Sequence, residues 1–126
     1  MIKNSLKTIA LIILFSSTLS LNSCKHDIDL STAPTISFKD DIQAIIGGNC
    51  SMNGCHGNDP QSEFSLTSYS KVMSEGDIKP GNAKASKFYQ VLLINFGEEK
   101  MPPNGPLTDI QIKKIFIWIE QGAMDN

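Results

Sequence analysis

From Ser37 onward, apolar residues recur at helical spacing, and no sustained alternation marks a strand. Phe38, Ile42, Ile45 and Ile46 fall at i, i+4, i+7 and i+8, with Lys39, Asp40, Asp41 and Gln43 turned away from that stripe. Ser37 is a good N-cap for this helix, and Gly47-Gly48 predicts its stop. The clearest signals lie near the end of the chain. Thr108-Asp109-Ile110-Gln111 predicts a capping box, with Thr108 as N-cap and Gln111 at the third helical position. Ile112, Ile115, Phe116 and Ile119 form the stripe that follows; Trp118 widens it and Gly122 ends it.

Between these helices, residues 57–83 are rich in Gly, Asn, Ser and Pro, with apolar islands at Phe64, Leu66, Tyr69 and Val72. That composition predicts loops, a short turn of helix over 68–73 and a turn at Pro80-Gly81-Asn82. Another helix is predicted from about Ser86, with Phe88, Val91, Leu92 and Asn95 on its inner face and Gly97 as its stop. The expected fold is a small all-α domain of about three main helices with long loops.

The first two dozen residues follow another rule. Lys3 and Lys7 precede an almost wholly apolar or small run from Ile9 to Leu21, the outline of an export signal. That run falls short of the roughly 20 residues a bilayer span needs. Leu21-Asn22-Ser23-Cys24 resembles the lipobox of bacterial lipoproteins, which implies lipid on the Cys24 thiol and Cys24 as the mature N-terminus. An ordinary secretory signal with a chance cysteine is the alternative. The expected organisation is a signal peptide over 1–23, a flexible tether over 24–35 in which His26 is a solvated side chain, and one domain over 36–126. Without the signal, nine basic residues face thirteen acidic ones, which argues against nucleic acid as a partner. A core this small often needs a staple or a prosthetic group.

The candidate chemistry sits in Cys50-Ser51-Met52-Asn53-Gly54-Cys55-His56. Two thiols can add across the two vinyl groups of a porphyrin, and an adjacent histidine can lie under its iron. The usual motif has two residues between the cysteines, whereas this chain has four. Asn53-Gly54 can adopt left-handed backbone angles cheaply, so a bulge can absorb the added length. Two other readings stay open on these residues alone: a small-loop disulfide with His56 a bystander, and a zinc site with no named fourth ligand. Met101, followed by Pro102 and Pro103, is the candidate second axial ligand, because a thioether suits low-spin iron and the prolines fix the backbone beside it. Met73 is its rival. Met52 lies within the attachment loop and Met124 beyond the last helix, which leaves both badly sited for the role.

The order of helix, cysteine loop, irregular wrap, Met-Pro loop and terminal aromatic helix resembles class I cytochromes c. More narrowly, it resembles haem-binding lipoprotein domains with an extended Cys-x4-Cys-His motif. The residues that carry the resemblance are Phe38-Lys39-Asp40-Asp41-Ile42-Gln43, Cys50…Cys55-His56-Gly57, Leu66-Thr67-Ser68-Tyr69, Pro80-Gly81-Asn82, Ser86-Lys87-Phe88-Tyr89, Met101-Pro102-Pro103 and Trp118-Ile119…Gly122-Ala123, over about residues 36–123. It implies one covalent haem c, held by thioethers to Cys50 and Cys55, with His56 and Met101 as axial ligands to the iron and the loops wrapped around it. With both axial positions filled, the implied role is a one-electron carrier and not an enzyme. The carrier would be a monomer that docks transiently with redox protein partners. Lipid on Cys24 would hold it at the periplasmic face or the cell surface of a Gram-negative bacterium. Lys25, Asp27 and Asp29 faintly resemble surface-export signals of such lipoproteins. Trp118, Tyr89 and Tyr69 are read as core or interface aromatics. The rival functions are a haem sensor or peroxidase-like protein with an open iron site, and a haem-free interaction lipoprotein stapled by a Cys50–Cys55 disulfide.

Overall fold

A computed structural model of the chain describes residues 28–58, 60, 62, 64–93, 100–103 and 105–126. The expected signal peptide, Cys24, His26, Asn95 and Gly97 lie outside the described residues. Among those described there are four α-helices and no strand: α1 (Gln43–Asn49), α2 (Tyr69–Glu75), α3 (Lys87–Gln90) and α4 (Asp109–Glu120). The domain is small and all-α. No described helix is long and apolar enough to cross a membrane.

A π-helical turn, Phe38–Ile42, runs straight into α1. Ser37 caps it as expected, its side chain accepting from the Asp40 amide. The amides of Asp41 and Ile42 both reach the Ser37 carbonyl, which widens the first turn. The predicted stripe is buried throughout: Phe38, Ile42, Ile45 and Ile46 are all below 8% exposed. Gly47-Gly48 does not stop the helix. It continues to Asn49, whose side-chain amide donates to the Ile45 carbonyl at 2.7 Å, and the Cys50 amide still bonds Ile46 at 2.8 Å.

The last helix carries the capping box in both directions, Thr108 accepting from the Gln111 amide and Gln111 returning to the Thr108 amide. It ends where expected. The Gly122 amide bonds Ile119 and the Ala123 amide bonds Trp118, with Gly122 at φ +102°, the paired pattern of a helix closed by a left-handed glycine. Its buried face is wider than the predicted stripe. Ile115, Ile117, Trp118 and Ile119 are buried, while Ile112 and Phe116 are only half-buried. The cause is that α4 is covered on two sides, by the Phe38–Ile42 turn and by the 3₁₀ turn Ala83–Ala85 with α3.

The predicted helix from Ser86 is much shorter than its apolar pattern implied. Its described part is the 3₁₀ turn and the single turn of α3, with Ser86 between them. Ser86 is fully buried, its hydroxyl donating to the Asn82 carbonyl and accepting from the Lys79 amide. Gly81, at φ +76°, donates its amide to the Ile119 carbonyl at 2.8 Å, and the Ala83 amide donates to Glu120 at 2.8 Å. This loop is therefore tied to the end of α4 through the Ile119 carbonyl and the Glu120 carboxylate. The chain then folds back on its own beginning. Asn126 accepts from Ser37 Oγ and from the Lys39 amide, its side chain accepts from the Phe38 amide, and Gln121 binds both Ile36 and Pro34. Tyr69 and Trp118 flank Phe38, and their polar tips donate to the carbonyls of Ala123 and Met124. They are core aromatics.

Candidate cofactor site

The Cys50–His56 segment leaves α1 and returns to it. Cys50 is the C-cap of α1, and Ser51 shares the Ile46 carbonyl with it. A tight turn follows, closed by the Cys55 amide on Met52 at 3.0 Å, with Gly54 at φ +80°. This is the Asn-Gly bulge that the long spacing called for. The His56 amide then donates to the Cys50 carbonyl at 3.0 Å, so the four intervening residues are looped out and the two ends are held together. Gly57 packs directly beneath that loop. A Cβ there would stand 2.8 Å from the Ser51 carbonyl oxygen and 2.9 Å from that of Met52. The returning strand of chain closes the other side, with the Leu66 amide on the His56 carbonyl and the Ser51 hydroxyl on the Leu66 carbonyl, both at 2.7 Å.

The backbone therefore brings Cys50, Cys55 and His56 together. Both cysteines are free thiols. Cys50 is buried, and that burial, with the neighbouring Cys55 thiol adding to it, pushes its pKa up to about 11. The thiol is neutral at physiological pH. His56 is half-buried, and its ring stacks on Phe64 with centroids 4.2 Å apart and planes 13° from parallel. Its Nδ1 is buried with no hydrogen-bond partner. A polar atom left in that state costs about 1–3 kcal/mol.

Met101 has its own tie outside this loop. Its amide donates to the Val91 carbonyl at 2.8 Å, just after α3, and Met101 and Pro102 are half-buried while Pro103 is exposed. No described hydrogen bond or ring contact joins Met101 to the Cys50–His56 loop. Met73, the rival, packs against the hydrophobic core from α2, as ordinary filler does. Met52 is 49% exposed and Met124 is 55% exposed. Two features escaped the sequence reading. Phe64 stood there only as an apolar island, and Gly57 only as part of a motif. Neither contact has a local signature, because the first depends on where the chain returns at Leu66 and the second on how the cysteine loop closes.

Residues 53–105 match the family described as Planctomycete cytochrome C. The match supports a cytochrome c-like domain. It takes in Cys55, His56 and Met101, and it starts three positions after Cys50. Comparison with curated proteins and with solved structures found no match. The donor chemistry of these residues fits a covalently bound haem: two unbridged thiols, one imidazole beside them, and a thioether downstream. Zinc is the poorer fit. Among the described residues, no group of three or more His, Cys, Asp or Glu side chains could hold a metal ion.

Proposed function

We propose that the chain is a lipid-anchored monohaem c-type cytochrome that carries single electrons between redox protein partners. The observation that carries this reading is the family match running through Cys55, His56 and Met101. Thioethers to Cys50 and Cys55 would hold haem c, with His56 and Met101 as its axial ligands. When bound, that group supplies an iron that changes oxidation state without making or breaking bonds in a substrate.

The residues of the chain do the holding. The His56–Cys50 and Leu66–His56 backbone bonds keep both sulfurs and the imidazole in one rigid loop. Burial of Cys50 keeps water from that side of the site. A methionine sulfur at the second axial position favours a higher reduction potential than a more basic ligand would. Lipid on Cys24 would tether the domain, as a monomer, at the periplasmic face or the cell surface. Its docking interfaces would be small and short-lived, as is usual for electron exchange.

The experiment is an absorption spectrum of the oxidised and reduced protein with a redox titration, repeated on Met101→Ala. A low-spin spectrum with a weak far-red sulfur-to-iron band, lost in Met101→Ala while haem stays attached, is the expected result. A band that survives the substitution moves the axial role to Met73. A high-spin spectrum in the wild type favours the sensor or peroxidase-like reading instead.

A further inference from the structure

Histidines that bind metals ordinarily donate their second ring N–H to a carboxylate, a carbonyl or water, and that bond fixes the plane of the ring. His56 has no such bond, since its Nδ1 is buried without a partner among the described residues. Something else must hold the ring, or it would rotate about its own side-chain bonds.

Phe64 is the group in contact. Its ring lies nearly parallel to the imidazole, 13° from coplanar with centroids 4.2 Å apart. The chain around Phe64 is pinned on both sides. The Ser65 amide is bound by the carboxylate of Glu75, which is itself paired with Lys71 on α2. One residue further, the Leu66 amide donates to the carbonyl of His56 at 2.7 Å. Before it, the Ser62 hydroxyl donates to the Phe64 carbonyl. Phe64 is thus fastened both to α2 and to the main chain of the histidine whose ring it covers.

We propose that Phe64 is the positioning residue for His56, fixing the imidazole plane by stacking where a hydrogen bond at Nδ1 would ordinarily do so. The inference rests on the reading of His56 as an axial ligand. It has an electronic corollary: an imidazole with no acceptor at its second nitrogen is a weaker donor than one that is hydrogen-bonded.

Phe64→Leu keeps apolar bulk but removes the flat face, whereas Phe64→Tyr keeps the ring. Peroxidase staining first establishes that haem is attached in each protein. In the oxidised haem proteins, proton NMR then compares the order and spread of the haem methyl resonances, which follow the orientation of the axial imidazole and not fold stability. The expected result is a wild-type pattern in Phe64→Tyr and a reordered or narrowed one in Phe64→Leu. A wild-type pattern in Phe64→Leu overturns the proposal. If no protein holds haem, the cytochrome reading fails, and the same variants are compared through the His56 ring protons of the haem-free chain. An upfield shift present in wild type and Phe64→Tyr but lost in Phe64→Leu upholds the hold of Phe64 on the ring; equal shifts overturn it.

Discussion

Gly57→Ala is the substitution that bears hardest on the looped-out cysteine segment. The new Cβ would lie 2.8 Å from the Ser51 carbonyl oxygen, 2.9 Å from the Met52 oxygen and 3.1 Å from the Met52 carbonyl carbon. A relaxed carbon-to-oxygen contact is about 3.3–3.6 Å. All three obstacles are main-chain atoms, so no side-chain rotation relieves them and the loop itself must shift. Overpacking of this kind costs about 1–3 kcal/mol, and the rigidity of the loop puts the expected loss in the upper half of that range. Set against a total stability on the order of 5–15 kcal/mol, the domain still folds. Gly47→Ala is the control, since its Cβ would meet nothing within 4 Å and Gly47 sits inside α1. That change should stabilise by about 0.5–1 kcal/mol through the backbone alone. Urea unfolding, followed by the fluorescence of Trp118, the one tryptophan and 1% exposed, reads both. The expected result is a lower midpoint at unchanged slope for Gly57→Ala, less haem attached per chain, and a slightly higher midpoint for Gly47→Ala. A Gly57→Ala protein as stable as wild type would refute the close-packed loop. So would a Gly47→Ala protein that falls just as far.

Three other outcomes follow from the same contacts. Asp41→Asn removes the charge of the 2.6 Å pair with Lys114 and keeps an oxygen that can still accept from the Ser37 amide; in the native protein these two partners together hold the Asp41 carboxyl below the usual carboxylate range. The pair is partly exposed, so the loss at neutral pH should be only about 0.5–1 kcal/mol. Because the folded-state pKa is lowered, that stabilisation exists above the ordinary carboxylate pKa and disappears as pH falls through the Asp41 value; urea midpoints of the two proteins should converge in acid, and a constant gap would sink the assignment. Thr108→Ala breaks the capping box of α4 and should cost about 1 kcal/mol by the same unfolding assay, with no loss at all counting against the cap. Raising the pH should leave Cys50 protonated longer than an ordinary thiol, so its alkylation in the haem-free protein should stay slow until about pH 11; alkylation at pH 8 as fast as that of a small free thiol would contradict its burial.

The two ends of the domain were legible in the sequence because their signals are local. Ser37 and the Phe38–Ile46 stripe, and Thr108-Gln111 with Gly122, each encode a helix and its caps within one or two turns of chain. What lay between was less legible. The pattern of Phe88, Val91 and Leu92 suggested a long helix, yet α3 is one turn, since Ser86 and the Ala83–Ala85 turn spend their polar groups on Asn82, Lys79 and Glu120. Gly47-Gly48 were read as a stop, yet Asn49 carries the helix past them. In the site, the Cys50, Cys55 and His56 cluster followed from adjacency, and the Asn-Gly turn from its dipeptide. Phe64 against His56 could not be read this way, because seven residues separate them in sequence and only the return of Leu66 to the His56 carbonyl brings the rings face to face.

The central claim is a haem bound covalently through Cys50 and Cys55. Thioether-linked haem stays with the chain through boiling in detergent, whereas haem held only by axial ligands is lost. The protein, produced in a host able to attach haem, should therefore give a band with haem peroxidase activity after denaturing electrophoresis. That activity should weaken or vanish in Cys50→Ala, Cys55→Ala double-substituted protein. An unstained band from wild-type protein would contradict the account.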